Sequence, residues 1–173
     1  LAALTADPRW LFPNTDEGRA ALLADLNVQV DAIRRRLPEL FTALPRTPVE
    51  VRRVVARVVD DQSLALRARA LRIAPQVDDI KLEADPEKLR IMLDNLLSNA
   101  VKFSPENNVI DVVAHSDGVH MTLDVVDCGP GIPPAECERV FDAFYRGRTV
   151  AGGPLRGSGI GLSVVRDYAQ AHG

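Results

Sequence analysis

The chain has 173 residues, of which 46% are hydrophobic and 26% charged, a composition typical of one globular domain with or without an appendage. The net charge is −3 and the basic residues are scattered, so we expect no nucleic-acid binding. No apolar run approaches the roughly 18 residues of a membrane span, so we expect no direct membrane contact. The two cysteines, Cys128 and Cys137, lack zinc-site spacing and indicate a reduced, intracellular setting.

Residues 1–46 are predicted to form a helical N-terminal segment. Apolar residues recur at helical spacing from Leu22 to Ile33, and Pro38 is expected to end or kink that helix. The composition changes near residue 46, where we place a boundary with a second domain, residues 47–173.

The second domain is predicted to alternate helices with short strands. "TPVE" suggests a helix start, with Thr47 as the cap, a proline at the first helical position and Glu50 closing a capping box. This helix is expected to run to about Ala68. "LRIAP" and "IKLEA" are strand candidates, and Asp85 precedes a long helix, "PEKLRIMLDNLLSNAVKF".

The last third of the chain begins with a predicted hairpin. "NVIDVVAHS" and "HMTLDVVD" alternate in hydrophobicity and flank Asp117-Gly118. "PAECERVF" is expected to be a short helix and "IGLSVVRDYAQAH" the final helix. The loop between them is rich in glycine and has no apolar period, so we expect a mobile lid from about Gly147 to Arg156.

One face of the long helix carries three polar residues. Asn95, Asn99 and Lys102 follow one another at i, i+4 and i+7. Amide oxygens can ligate Mg²⁺ without adding charge, and a lysine one turn on can meet phosphate oxygens. A solvated surface would explain any one of them alone, but the three together favour a phosphate and magnesium site.

The stretch "DCGPGIPP" follows the last predicted strand. A carboxylate at this strand end, Asp127, can accept a hydrogen bond from an exocyclic amine such as that of adenine. Gly129 and Gly131 would let the backbone approach a flat base, and Ile132 would supply an apolar contact. Asp127 is equally expected to start a turn, so both interpretations stay open.

A second glycine cluster, "GSGIGL", opens the final helix. Backbone N–H groups at a helix amino end attract anions, and Gly157, Gly159 and Gly161 would let phosphates approach. The cluster has neither the Walker pattern nor the Rossmann spacing. By itself it is a weak indication of phosphate binding.

Taken together, these segments resemble sensor histidine kinases. "LDNLLSNAVKFSP" is similar to their N box, "DCGPGI" to their G1 box, "VFDAFYRG" to their F box and "GSGIGLSVV" to their G2 box, in family order and spacing. The resemblance covers residues 47–173 and implies the ATP-binding catalytic domain. The implied fold is the two-layer α/β sandwich of the Bergerat type, also called GHKL, in which helices pack on a mixed sheet.

The resemblance also implies how magnesium and phosphate are held. Asn99 would hold Mg²⁺ with Asn95 close by, Lys102 would face phosphate, and Arg146 would reach the γ-phosphate. Asn95 and Arg146 are therefore the candidates for a catalytic role. The final glycine cluster would bind phosphates through Gly157, Ser158, Gly159, Gly161 and Leu162.

For the base, the resemblance implies that Phe103 contacts adenine or ribose and that Asp127 accepts from the adenine amine. The expected ligands are ATP and Mg²⁺. The expected partners are a histidine-bearing dimerisation domain, in cis or in trans, and a response regulator. We expect a cytoplasmic location, as part of a membrane-bound sensor kinase.

The sequence departs from the family at the phosphoacceptor, which is a histidine followed by an acidic residue. His115, His120 and His172 precede serine, methionine and glycine. The first two are predicted on strands and the third at a frayed chain end, far from any fixed acid. We therefore expect the acceptor histidine to lie on another segment or chain.

Two further departures concern the ends of the sequence. The family usually adds two strands after the last helix, so we expect the sheet to lack its last strands. Residues 1–46 resemble a helical bacterial family of metallocarboxypeptidase-like proteins, yet they contain no H-E-x-x-H or H-E-x-x-E pair, so no peptidase chemistry is expected. An ordinary, divergent helical linker is the alternative.

Three functions are compatible with these motifs. The leading hypothesis is a histidine kinase catalytic domain that donates the γ-phosphoryl group to a histidine elsewhere. The second is a nucleotide-binding module without productive kinase activity. The third is another GHKL ATPase, of the gyrase or chaperone type, although those enzymes usually carry glutamate where this sequence has Asn95.

Overall fold

The computed structural model describes residues 45–147 and 159–173. The predicted N-terminal helix, most of the predicted lid, and the site candidates Gly157 and Ser158 lie outside these ranges. In chain order the elements are β1 (Thr47–Glu50), α1 (Val51–Asp61), α2 (Ser63–Ala68), β2 (Arg72–Val77), β3 (Lys81–Ala84), α3 (Pro86–Phe103), β4 (Val109–Ser116), β5 (Met121–Val126) and α4 (Gly161–His172). Among the described residues, no helix is long and apolar enough to cross a membrane.

A mixed sheet of three strands, in the order β2-β4-β5, forms one layer of the described structure. β2 runs parallel to β4, and β4 runs antiparallel to β5 through the predicted hairpin. Gly118 in that hairpin has a φ of +91°, a conformation that favours glycine. β1 and β3 form a separate antiparallel pair in which Thr47 lies opposite Ala84.

Helices α1 and α3 form the second layer and pack on β4. Side chains alternate along β4, with one set fully buried. The main buried cluster comprises Val51, Val55 and Val58 of α1, Leu93 and Leu97 of α3, and Ile110, Val112 and Ala114 of β4. Burying each of the larger side chains contributes about 1.5–3 kcal/mol. The predicted class, helices packed on a mixed sheet, is confirmed.

The prediction of a helix start at "TPVE" is wrong. Thr47–Glu50 is a strand, and α1 begins only at Val51, with no side-chain cap at Glu50. As a strand, this segment pairs with β3 and places Val49 in a buried cluster with Ala84 and Leu89. Tertiary pairing and burial therefore override the local helix-start signal.

Two other predicted helices also differ in detail. The helix expected to run to Ala68 is interrupted at Gln62, which gives α1 and α2. The short helix in "PAECERVF" is instead two 3₁₀ turns, Pro134–Glu136 and Arg139–Phe141. Their bonds are of the i to i+3 type, for example from the Glu136 N–H to the Pro133 carbonyl, which suits so short a segment.

Asp85, which was predicted to precede the long helix, caps the amino end of α3. Asp85 is buried, and its Oδ1 accepts from the N–H groups of Glu87 and Lys88 at 3.0 and 3.1 Å. Burial alone raises the pKa of Asp85, but the hydrogen bonds from these N–H groups and the nearby Lys88 ammonium outweigh it, so the pKa lies below its usual value. The carboxylate form is thus bound more strongly in the folded chain than in the unfolded chain.

We predict that Asp85→Ala lowers the free energy of unfolding by about 0.5–2 kcal/mol at neutral pH, because it removes the cap. Since the folded pKa is lowered, this contribution is present above about pH 4 and is lost as the pH falls through the folded pKa. Urea unfolding of both chains between pH 7 and pH 3 measures the difference. Asp85→Asn is the control, because it keeps the cap and removes the titration. A wild-type advantage that grows on acidification would contradict the prediction.

Candidate functional site

A cavity of about 470 Å³ opens where the carboxyl half of α3, the loop after β5 and the start of α4 meet. This volume lies in the usual range for small-molecule sites. The residues singled out from the sequence that line it are Asn95, Asn99, Lys102, Phe103, Asp127, Gly131, Ile132, Arg146, Gly159, Gly161 and Leu162. The fold thus brings together four segments of the sequence: the carboxyl half of α3, the loop after β5, the segment with Arg146 and the start of α4.

The polar face of α3 lies in this cavity, opposite the leucines that anchor the helix to β4. The Nδ2 group of Asn95 donates to the Ile91 carbonyl at 2.9 Å. A Cβ built on Gly161 would lie 2.6 Å from Oδ1 of the same asparagine. Asn95 therefore packs against the first residue of α4, and Gly161 makes this close contact possible.

Among the described residues, the cationic side chains that line the cavity are those of Lys102 and Arg146. Burial lowers the pKa of Lys102, and the positive charge of Arg146 lowers it further. The Lys102 Nζ also lies 4.9 Å from the centroid of the Phe103 ring. A bound anion would stabilise both charges, so this part of the cavity suits phosphate.

The described residues contain no cluster of three or more His, Cys, Asp or Glu side chains that could hold a metal ion. Asn99, which lines the cavity, offers a neutral amide oxygen. Mg²⁺ commonly takes few protein ligands and completes its shell with phosphate oxygens and water. The Asn99 amide, in a cavity that also holds Lys102 and Arg146, therefore fits Mg²⁺ bound together with a nucleotide.

Asp127 is exposed, and its side chain both forms a hydrogen bond within the turn and lines the cavity. Its Oδ1 accepts from the Gly129 N–H at 2.6 Å, which confirms the turn interpretation. Its side chain also lines the cavity, so the two interpretations are compatible. Gly129 does not line the cavity; a Cβ there would lie 2.6 Å from the Asp127 Oδ1 and 3.1 Å from the Phe103 carbonyl oxygen. Gly129 thus lets the turn close against the end of α3.

Gly159 joins the start of α4 to the segment that follows the second 3₁₀ turn. Its φ is +72°, and a Cβ would lie 2.7 Å from the Phe144 carbonyl carbon and 2.8 Å from the Tyr145 carbonyl oxygen. The Phe144 N–H donates to the Gly159 carbonyl at 2.8 Å. Backbone conformation and close packing therefore require glycine here.

Several cavity residues were not predicted from the sequence. Glu136 is buried, and a Cβ on Gly147 would lie 2.6 Å from its Oε2. Nothing in "PAEC" indicated that this carboxylate faces a cavity, because its direction depends on the 3₁₀ turn. The other lining residues that were missed are Leu96, Ser98, Ala100, Val125, Pro130, Pro133, Val140, Tyr145 and Gly147.

None of the three histidines lines the cavity. His115 lies on β4 as predicted, whereas His120 lies in the hairpin turn rather than on a strand. The expectation for His172 is wrong: it ends α4, its Nδ1 contacts the Tyr168 carbonyl at 2.6 Å, and its Nε2 accepts from the Asp85 N–H at 3.2 Å. It lies at the end of α4 away from the cavity, about 16 Å from Gly161 along the helix.

Comparison with known proteins identifies the family. The family model described as "Histidine kinase-, DNA gyrase B-, and HSP90-like ATPase" matches residues 84–173. The structure of the mycobacterial sensor histidine kinase MprB is 30% identical, with a TM-score of 0.64, and the match covers 73% of this chain and 80% of that chain. The chain belongs to the histidine kinase branch of this ATPase family. It contains the ATP-binding catalytic domain of that branch.

Sequence relatives agree with this assignment. The sensor protein QseC of Escherichia coli O157:H7 is 31% identical over 174 residues, which is 94% of this chain and 37% of QseC. The sensor protein CreC of Escherichia coli strain K12 is 33% identical over 124 residues, which is 72% of this chain and 26% of CreC. The chain therefore spans about a quarter to a third of the length of these sensor proteins.

A second family model, "Bacterial protein of unknown function (DUF885)", matches residues 1–80. Within the described part of that stretch, α1, α2 and β2 pack with the rest of the kinase domain in one core. The QseC alignment covers 94% of this chain, so it must include most of residues 1–46. The domain boundary at residue 46 stays a prediction.

We predict that Gly159→Ala destabilises the kinase domain more than Gly118→Ala does. Both replacements place alanine at a positive φ, which costs about 1–2 kcal/mol. At Gly159 the methyl group would also press on backbone atoms, adding about 1–3 kcal/mol, whereas nothing lies within 4 Å at Gly118. Urea unfolding gives both values. Equal losses would mean that the neighbouring backbone moves aside at little cost.

Proposed function

We propose that the chain binds Mg-ATP and supplies its γ-phosphoryl group to a histidine on another segment or chain, as part of a two-component sensor kinase. One observation carries the proposal. A carboxylate, an amide and two cations, on Asp127, Asn99, Lys102 and Arg146, converge on one cavity beside the amino end of α4. Each of these groups matches a different part of Mg-ATP.

The adenine end is assigned to Asp127. Because its Oδ1 already accepts from the Gly129 N–H, its Oδ2 would accept from the exocyclic amine of the base. Phe103 and Ile132 line the same cavity and would contact the base or ribose through apolar surface. Ile132 is 49% exposed, and a nucleotide would cover it.

The phosphates are assigned to the start of α4 and to the two cations. Gly161 and Leu162, in the first turn of α4, line the cavity. Backbone N–H groups at a helix amino end favour anions. Lys102 and Arg146 would neutralise the remaining charge, and Asn99 would hold Mg²⁺, which shields the charge that builds up on the phosphates during transfer.

The transfer step mostly requires positioning and electrostatics. This chain would orient the γ-phosphoryl group, and the acceptor imidazole would come from a dimerisation domain, with a response regulator as the next acceptor. The structure of ShkA, 27% identical with a TM-score of 0.64, was determined with AMPPNP, an ATP analogue, and its similarity to this chain supports the nucleotide assignment. The positions of the three histidines support an acceptor outside this sequence.

We predict that Asp127→Asn weakens ADP binding by about 1–3 kcal/mol, the cost of mispairing a polar group. Asparagine keeps an oxygen for the Gly129 N–H but can present an amide NH₂ to the adenine amine, so two donors would meet. Titration calorimetry on the whole chain measures the affinity. Asp124→Asn, an exposed position on β5, is the control and should leave binding unchanged. The base assignment would be wrong if wild type and Asp127→Asn bound ADP equally well.

We also predict that this chain acquires no acid-labile phosphate when it is incubated alone with γ-labelled ATP and Mg²⁺. None of its histidines lines the cavity, so none is placed in line with the γ-phosphoryl group. A kinase dimerisation segment that carries the acceptor histidine should become labelled when it is added in trans. Mass spectrometry at neutral pH locates the label. A phosphorylated His115, His120 or His172 would refute the proposed separation of donor and acceptor. ATP binding without any transfer would favour a nucleotide-binding module.

A further inference from the structure

The carboxyl end of α3 is held by an arginine from another helix. Nη1 of Arg69 donates to the carbonyls of Val101 and Lys102 at 2.8 and 2.6 Å, and its Nη2 donates to the Ser104 carbonyl at 2.9 Å. The last carbonyls of a helix have no partner within the helix and carry partial negative charge. A guanidinium suits this end because it can donate to several carbonyls from one plane.

Arg69 is itself fixed by the end of α2. The Leu71 N–H donates to the Leu66 carbonyl at 2.9 Å and the Ala70 N–H donates to the Arg67 carbonyl at 3.1 Å, which is the Schellman pattern with Arg69 as the C-cap. Ala70 has the positive φ, 52°, that this pattern requires. Leu66 and Leu71 are buried in the main core, so the turn that carries the Arg69 side chain is held in place.

The backbone of Arg69 also contacts the segment after α3. Its carbonyl accepts from the Asn107 N–H at 3.2 Å, in the loop that leads to β4. The side chain and the main chain of one residue therefore hold both the end of α3 and the following loop. An exposed helix end would need fewer hydrogen bonds than these. Together they fix the position of the last turn of α3, which forms part of the cavity wall.

Two of the three nucleotide contacts proposed on α3 lie at this end. Lys102 and Phe103 line the cavity, whereas Arg69 does not. The Lys102 carbonyl accepts a hydrogen bond from Arg69, while the Lys102 Nζ lies over the Phe103 ring. The orientation of the last turn of α3 therefore determines where the Lys102 ammonium and the Phe103 ring lie relative to a bound ligand.

We infer that Arg69 is a positioning residue of the nucleotide site. It holds the last turn of α3 so that Lys102 meets the phosphates and Phe103 the nucleoside. The inference rests on the proposed function. It assigns a role to the residue that caps the end of α2, which lies 32 to 35 positions before its partners and looks, in sequence, like an ordinary surface charge.

The test compares Arg69→Gln with Arg52→Gln in the whole chain. Arg52 also donates a guanidinium hydrogen bond to a carbonyl, that of Val77, at 2.7 Å, but it does not line the cavity. Titration calorimetry with ATP and with adenosine separates the phosphate contact from the nucleoside contact. We expect Arg69→Gln to weaken ATP roughly 10- to 100-fold and to weaken adenosine less, whereas Arg52→Gln changes neither affinity.

A double-mutant cycle with Lys102→Met distinguishes positioning from general stabilisation. If Arg69 acts through Lys102, Arg69→Gln no longer changes the ratio of ATP to adenosine affinity once the lysine is gone. If Arg69 only stabilises the fold, both affinities fall by the same factor and do so in either background. That second outcome would overturn the inference.

Loss of the guanidinium also weakens the fold, so the cycle is repeated with Ala70→Gly added. Glycine relieves the positive φ at Ala70 and restores stability without restoring the hydrogen bonds to α3. The selective loss of ATP affinity should persist in Arg69→Gln/Ala70→Gly. Recovery of wild-type ATP affinity in this stabilised variant would show that the arginine matters only for folding.

Hydrogen exchange without nucleotide gives an independent measurement. The Ser104 N–H, which donates to the Ala100 carbonyl, and the Asn107 N–H should exchange faster in Arg69→Gln/Ala70→Gly than in wild type, and at the wild-type rate in Arg52→Gln. If wild type bound no ATP, the proposed function would be wrong, yet these rates would still show whether Arg69 holds the end of α3. Unchanged exchange at both amides would overturn the inference by itself.

Discussion

The packing of α3 on β4 is the constraint on which the rest of the structure depends. One face of this helix buries Leu93 and Leu97 against the sheet, so its opposite face, with Asn95, Asn99 and Lys102, must point into the cavity. Because the two faces belong to one helix, the packing of the buried leucines also fixes the position of each polar group along the cavity. The chemistry of the cavity is thus tied to the main hydrophobic cluster.

Close backbone contacts then give the cavity its shape. Gly161 lies against Asn95, Gly159 against the Phe144 backbone, and Gly129 against the end of α3. In each case a Cβ would come within about 3 Å of a neighbouring atom. These glycines therefore act mainly by letting segments approach one another. As a result, the loop after β5 and the start of α4 lie close to α3, where they can contact a bound ligand. Arg69 completes this arrangement from outside the cavity.

The charges of the site follow from the same packing. Lys102 and Arg146 are 44 positions apart in the sequence, yet both line the cavity, and burial and the Arg146 charge both lower the pKa of Lys102. Bringing two cations together costs free energy, which a phosphate group would return on binding. The same cavity also has the carboxylates of Asp127 and Glu136 and the amides of Asn95 and Asn99, so its lining is not that of an apolar void.

The sequence by itself determined the family, the helix that carries Asn95, Asn99 and Lys102, the start of that helix after Asp85, and the hairpin. These features depend on local periodicity and on contiguous motifs. It misplaced Thr47–Glu50, because only β3 and the core beside it turn a good helix start into a strand. It gave no sign of Glu136 in the cavity, of Arg69 on the end of α3, or of His172 beside Asp85, since each contact joins residues that are distant in sequence or oriented by an irregular turn. Only tertiary packing decides such contacts, because it alone determines which distant groups share the same small volume.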